Sequence, residues 1–160
     1  MTEIGRTMFG IGALIENVST NKILVMKRSN HHSDFNQEKW ELIYGRKMQF
    51  EDVETALRRE VKEEIGLDDF SIIKVIRLWH FFRGERQADK EIIGVTFYCQ
   101  TSMQDFVISD EHSEYRWVTQ EEALELISVI GIRQDIQAYK EGTERLGLHL
   151  SNTASEVKYI

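Results

Sequence analysis

Residues 45–67 read GRKMQFEDVETALRREVKEEIGL, and this stretch decides how the rest of the chain is interpreted. Glu60, Glu63 and Glu64 have the i, i+3, i+4 spacing that brings side chains together on one face of a helix. Like charges at that spacing repel one another unless a cation lies among them. The stretch therefore indicates a divalent metal site, and a metal site of this composition binds phosphates.

The apolar residues of the stretch predict which side of the helix is buried. With a rotation of about 100° per residue and Glu60 at zero, Val53 lies at about 20° and Leu57 at about 60°. Glu64 lies at about 40°, so Glu60 and Glu64 share the edge of the apolar stripe. Gly66 is suited to end the helix as a left-handed C-cap.

A solvated acidic surface is the alternative interpretation of the three glutamates, because charged residues are mostly exposed. We favour the metal site because carboxylates at the margin of a core need partners, and a desolvated charge without one is costly. No Cys or His lies within the stretch. The ligand type therefore indicates magnesium or manganese rather than zinc.

The pattern G-x5-E-x7-R-E-x-x-E-E-x-G, followed by Leu67, resembles the Nudix box of the Nudix (MutT-like) hydrolases. The box covers about a seventh of the chain. The resemblance implies the Nudix fold, an α/β/α sandwich with a mixed β-sheet, formed by one domain over residues 1–160. The chain departs from the family where it has Ile43-Tyr44-Gly45 in place of the common Pro-Gly-Gly, and Phe50-Glu51 in place of Gly-Glu. These departures concern loop geometry and substrate fit rather than the metal ligands.

The resemblance also implies a role for each fixed residue of the box. Arg59 would orient the glutamates through a salt bridge, and Glu51 would support the cluster from the start of the helix. Glu63 would lie beside the metal and belong to the catalytic set. The implied metal ligands are the carbonyl of Gly45 and the carboxylates of Glu60, Glu63 and Glu64.

Residues 111–118, EHSEYRWV, resemble the segment in which many Nudix hydrolases carry a further catalytic glutamate. Glu111 is our first candidate and Glu114 the second. A carboxylate free of the metal can accept the proton of the attacking water.

The candidate substrate-binding residues lie outside the helix. Arginine suits phosphate recognition, although a surface ion pair is an equally good interpretation of Arg28. For Tyr44, packing is slightly favoured over lining the pocket, and for the aromatic residues 79–82 core packing is favoured over base stacking. His31 and His32 are more readily interpreted as solvated loop residues than as phosphate ligands. The candidates are Arg28, Tyr44, Arg46, His80 and Phe82.

Composition bounds the class of protein. Hydrophobic residues make up 41% of the chain and charged residues 29%, as in soluble globular proteins. The net charge of −7 argues against broad nucleic-acid binding but not against a small anionic substrate. Cys99 is the single cysteine, which fits a reducing, cytoplasmic location. We see no signal peptide and no apolar run long enough for a membrane span, and a homodimer remains open.

Periodicity predicts the remaining elements. Strands are expected at Phe9–Glu16 and Lys22–Lys27, joined by a polar turn, and at Ser71–Phe82 and Glu91–Gln100. Thr119 begins a capping box that opens a helix. We expect Gly131 to interrupt that helix, and a further helix at Ile132–Lys140 to end at Gly142. Residues 143–160 carry no functional pattern.

The predicted activity is Mg²⁺-dependent hydrolysis of the pyrophosphate linkage in a nucleoside diphosphate derivative, with Mn²⁺ as the alternative ion. Nucleoside triphosphates and dinucleoside polyphosphates are favoured over sugar nucleotides. One rival is a ligand-binding module without catalysis, which is disfavoured because such domains tend to lose box glutamates. Another is a prenyl-diphosphate isomerase on the same fold, which resembles enzymes that use a cysteine as well as a glutamate.

Overall fold

A computed structural model of the protein describes residues 5–30 and 36–140, so His31, His32, Gly142 and residues 143–160 lie outside the described part. A short 3₁₀ turn at Ala88–Lys90 precedes the sixth strand. The strands are β1 (Met8–Asn17), β2 (Lys22–Arg28), β3 (Trp40–Glu41), β4 (Ile43–Arg46), β5 (Ser71–Phe82), β6 (Glu91–Thr101) and β7 (His112–Val118), and the helices are α1 (Val53–Ile65), α2 (Gln120–Leu126) and α3 (Ile130–Ala138).

Strand β1 lies at the centre of a mixed sheet. It runs parallel to β6 along its whole length, from Met8 opposite Ile92 to Asn17 opposite Thr101. Its other edge pairs antiparallel with β4 and, at its end, with β2. β5 continues the sheet beyond β6, and β3 and β7 both pair with β2. The predicted β1–β2 hairpin and the mixed sheet are therefore confirmed.

The alternation of side chains along β1 produces two cores. Ile11 and Ile15 pack with Leu57 of α1 on one face of the sheet. Leu14 packs with Ile136 of α3 on the other. Because each face buries apolar side chains under helices, the protein is the predicted α/β/α sandwich. None of the helices in the described part combines the length and apolar character needed to cross a bilayer.

Helix α1 has well-formed ends. The Asp52 side chain accepts a hydrogen bond from the Thr55 amide at 2.8 Å and caps the N-terminus. Gly66 ends the helix in the left-handed conformation, with φ 66°, as predicted. The glutamate cluster is thereby carried on a helix fixed at both ends and packed against the sheet.

The prediction that Gly131 interrupts a helix is wrong. α2 ends at Leu126, and Gly131 lies in the first turn of α3. The chain is extended at Ile127 and Val129, which are both buried in the core. Tertiary packing of these two side chains, rather than the flexibility of a glycine, therefore separates the helices.

Candidate metal and nucleotide site

A cleft of about 380 Å³ opens where α1 meets β4 and the ends of β2 and β5. Acidic, basic and apolar residues line it in three groups. Glu60, Glu63, Glu64 and Glu111 supply carboxylates, Arg28, Arg46 and Arg83 supply positive charge, and Tyr44, Trp79, Phe81 and Ile92 supply apolar surface. The cleft thus offers surfaces for a metal, for phosphates and for an apolar group.

Arg59 links the acidic residues of the box. Its Nε donates to Glu51 Oε1 at 2.7 Å, and one terminal nitrogen donates to Glu60 at 2.8 Å and to Glu63 at 3.0 Å. The other terminal nitrogen donates to the Arg46 carbonyl at 2.8 Å. The hydrogen bonds from Arg59 lower the pKa of Glu51 to about 2. These contacts give Arg59 the geometry expected of a residue that orients the glutamates.

Gly45 and Glu60 are in direct contact. A Cβ atom at position 45 would lie 1.9 Å from Glu60 Cδ, so only glycine leaves space for this carboxylate. Glu60 Oε1 also accepts a hydrogen bond from the Arg46 amide at 3.1 Å. Strand β4 and helix α1 therefore bring the Gly45 backbone and the Glu60 carboxylate together, as the implied ligand set requires.

Glu64 is a buried carboxylate with one unsatisfied oxygen in the described part of the chain. It is 7% exposed, and its Oε2 has no hydrogen-bond partner within the part of the chain that the structure describes. Burial raises its pKa well above the usual value, and the charges of Glu41 and Glu60 raise it further. An unpaired buried oxygen among like charges fits a bound divalent cation.

The acidic residues do not form a closed cage. Across residues 5–30 and 36–140, no three His, Cys, Asp or Glu side chains converge closely enough to hold an ion by themselves. Magnesium commonly takes only one or two carboxylates and completes its shell with waters and phosphate oxygens. Glu60, Glu64 and the Gly45 carbonyl could therefore hold the ion together with solvent and substrate. The role of Glu63 as a further ligand stays a prediction.

Three arginines lie near one another in the cleft. Burial lowers the pKa of Arg83, and the positive charges of Arg46 and Arg28 lower it further. Arg28 also donates to Glu41 at 3.1 Å. Arg28 and Arg46 were predicted from the sequence, whereas Arg83 was missed. The signal for Arg83 is its position two residues beyond Phe81, in the alternation that places Trp79 and Phe81 in the cleft.

The aromatic residues that line the cleft differ from those predicted on β5. Trp79 and Phe81 face the cleft, whereas His80 and Phe82 are not among its lining residues. Successive side chains of a strand point to opposite faces, and His80 is paired with Glu91 at 2.8 Å. Trp79 and Phe81 thus occupy the place in the cleft that was expected for His80 and Phe82. Substrate binding by His80 and Phe82 stays a prediction. Tyr44, by contrast, does line the cleft.

The two candidate glutamates of the 111–118 segment differ in whether they line the cleft. Glu111 lines the cleft, and its carbonyl accepts a hydrogen bond from the Ser29 amide at 2.8 Å. Glu114 lies along β7, where it pairs with Arg116 at 2.6 Å. Only Glu111 shares the cleft with Glu60 and Glu64.

A helix that carries this glutamate cluster on an α/β/α sandwich defines the Nudix class of domains. The NUDIX domain model matches residues 6–136, and the chain belongs to that family. A stretch of 91 residues is 35% identical to the nucleoside triphosphatase NudI of Salmonella schwarzengrund (strain CVM19633). The comparison covers 52% of this chain and only 63% of the length of this curated relative.

Solved structures agree in fold. The MutT protein of Methanosarcina mazei Go1 is 26% identical, with a TM-score of 0.67 over 84% of this chain and 93% of that one. The dihydroneopterin triphosphate pyrophosphohydrolase of E. coli is 23% identical, with a TM-score of 0.68 over 86% of this chain and 97% of that one. The overall fold is therefore shared with these structures.

Proposed function

We propose that the protein is a Mg²⁺-dependent hydrolase that cleaves a phosphoanhydride bond of a nucleotide, with Mn²⁺ as an alternative ion. The observation that carries the proposal is the buried carboxylate oxygen of Glu64, which has no hydrogen-bond partner among the residues that the structure describes. It lies in one cleft with Glu60 and three arginines. A polyphosphate chain and its counter-ion would satisfy both sets of charges at once.

Each group of cleft residues has a distinct task in this reaction. Arg28, Arg46 and Arg83 bind the phosphate oxygens and hold the scissile bond near the carboxylates. A divalent ion held by Glu60, Glu64 and the Gly45 carbonyl would neutralise charge on the phosphates and lower the pKa of a water. Glu111 accepts the proton of the attacking water. Arg59 keeps Glu51, Glu60 and Glu63 in position, as its hydrogen bonds require.

Nucleoside triphosphates are the favoured substrates, with dinucleoside polyphosphates second. Three arginines match a chain of several phosphates, and the Trp79 and Phe81 surfaces suit a planar base. The similarity to a nucleoside triphosphatase supports the same choice. The isomerase alternative loses support because Cys99 is fully buried in the core beneath α1, and burial raises its pKa to about 12.

A substrate panel tests the proposal. Nucleoside triphosphates, dinucleoside polyphosphates and sugar nucleotides are each incubated with Mg²⁺ or Mn²⁺, and the released phosphate and pyrophosphate are quantified. We expect metal-dependent turnover that is highest for a nucleoside triphosphate. The absence of turnover for the whole panel with either ion would contradict the proposal and favour a ligand-binding module.

Replacing Glu111 with Gln is expected to lower kcat by about 10²-fold or more, which is the usual effect of losing a general base. The matched variant is Glu114→Gln, because Glu114 lies on the same segment but outside the cleft. Both are measured by steady-state kinetics on the best substrate of the panel. Equal losses in the two variants would contradict the assignment of the base to Glu111.

A further inference from the structure

Asp135 is a buried charge at the junction of four elements. It lies on α3 and is 1% exposed. Its Oδ1 accepts from Arg77 Nε of β5 at 2.5 Å, and its Oδ2 accepts from the Tyr44 hydroxyl of β4 at 2.6 Å and from Thr96 Oγ1 of β6 at 2.7 Å. A buried carboxylate is tolerated only when it is paired and hydrogen-bonded in this way. Asp135 does not line the cleft.

Two of these hydrogen bonds lead to the apolar part of the cleft. Thr96 Oγ1 accepts from Trp79 Nε1 at 3.0 Å, so the Thr96 hydroxyl connects Asp135 to the indole. Tyr44 is held directly, and its ring meets that of Trp79 edge to face, with centroids 6.4 Å apart. Two of the three aromatic side chains that line the cleft, Tyr44 and Trp79, are therefore connected to one carboxylate outside the cleft.

The backbone beneath the Trp79 indole is formed by glycines, Gly10 and Gly94. A Cβ atom at Gly10 would lie 2.3 Å from Trp79 Cη2, and one at Gly94 would lie 2.1 Å from the same atom. The six-membered end of the indole therefore lies against backbone that carries no side chains. Within the described part of the chain, the indole nitrogen donates its one hydrogen bond to Thr96 Oγ1.

We infer that Asp135 is a positioning residue that sets the affinity of the cleft for the organic part of the substrate, acting through Thr96 on Trp79 and directly on Tyr44. This inference rests on the proposed function, since it assumes that a nucleotide occupies the cleft. The arginines and glutamates that would hold the phosphates lie outside this network of hydrogen bonds. Disturbing the network should weaken recognition of the nucleoside and spare recognition of the phosphates.

The test uses Thr96→Val, which keeps the shape of the side chain and removes the hydroxyl that joins Asp135 to Trp79. Affinities are measured by isothermal titration calorimetry with Mg²⁺ for two ligands, a methylene-bridged nucleoside triphosphate and inorganic tripolyphosphate. We expect the nucleotide affinity to fall about tenfold, the factor equivalent to one buried hydrogen bond, while the tripolyphosphate affinity is retained. In kinetics, the loss should appear in KM rather than in kcat.

Two control variants separate positioning from general damage. Thr96→Ser restores the hydroxyl and should restore the nucleotide affinity. Tyr98→Phe removes another tyrosine–carboxylate hydrogen bond of the same length, 2.6 Å to Glu16, from a tyrosine that does not line the cleft. It should leave both affinities unchanged. If Thr96→Val does not fold, Tyr44→Phe provides the same comparison, because it removes only the hydroxyl that contacts Asp135.

The outcomes distinguish this inference from the proposed function. Equal weakening of both ligands, or an unchanged nucleotide affinity in Thr96→Val and Tyr44→Phe, would overturn the positioning role even in an active hydrolase. A wild-type protein that binds both ligands but hydrolyses no nucleotide would overturn the proposed hydrolysis. The calorimetric comparison would still decide the role of Asp135 in that case.

Discussion

Replacing Glu64 with Gln is expected to lower kcat on the order of 10³-fold, the scale of losing one preorganised electrostatic interaction at a reacting centre. The amide keeps the shape of the side chain but removes the charge that would bind the metal. Kinetics on the best substrate and calorimetric titration with Mn²⁺ measure the two effects. Wild-type turnover in this variant on every substrate would refute the assignment of the site.

The same variant should be more stable than the wild type at neutral pH in the absence of metal. Burial raises the pKa of Glu64 in the folded protein. Ionisation of Glu64 therefore disfavours folding at any pH above the pKa that this residue has in the unfolded chain. An uncharged amide removes that penalty. Thermal unfolding with EDTA measures the difference, and Glu125→Gln, an exposed helix position, is the charge-matched control. A lower melting temperature in Glu64→Gln than in Glu125→Gln would contradict the electrostatic argument.

Gly45→Ala is expected to reduce activity by about 10²-fold, because a small displacement of a reacting group can have an effect of that size. The new Cβ would occupy the position of the Glu60 carboxylate, 1.9 Å from its Cδ. The end of that side chain can move, so the protein should remain folded while the carboxylate is lost from its place beside β4. Kinetics, Mn²⁺ affinity and thermal unfolding together identify this pattern.

Gly5→Ala is the matched control for this substitution, because no atom of the described residues lies within 4 Å of a Cβ at that position. It should behave as the wild type in all three measurements. Full activity in Gly45→Ala would show that the contact between Gly45 and Glu60 does not matter for the reaction.

The helix that carries the glutamate cluster could be predicted well from the sequence, because its periodicity and its C-terminal glycine are features of one short stretch of the chain. Periodicity placed Glu60 and Glu64 at the margin of the core, and their side chains are largely buried there. The left-handed end at Gly66 follows from residue type alone. Within the described residues, one oxygen of Glu64 has no hydrogen-bond partner, and its need for a cation stays a prediction.

The orientation of β5 could not be obtained in the same way. The register of β5 against β6 shifts twice, between Ile72 and Lys74 and between Val75 and Arg77. Each irregularity changes which residues face the cleft, so alternation alone does not assign Trp79 rather than His80 to that side. Asp135 was missed for a related reason. A single aspartate in a helix gives no local sign that three distant side chains will surround it.

The bare backbone under Trp79 has a consequence for how this protein can change its ligand. Gly10 and Gly94 lie opposite each other on neighbouring strands. A mutation that adds a methyl group at either position would displace the indole, because the new Cβ would overlap the ring. Replacing Trp79 with a smaller residue would, in turn, leave a cavity that side chains at positions 10 and 94 could fill. A change of ligand selectivity at this position would therefore need two substitutions together. One would place a larger residue at Gly10 or Gly94, and the other would place a smaller residue at Trp79.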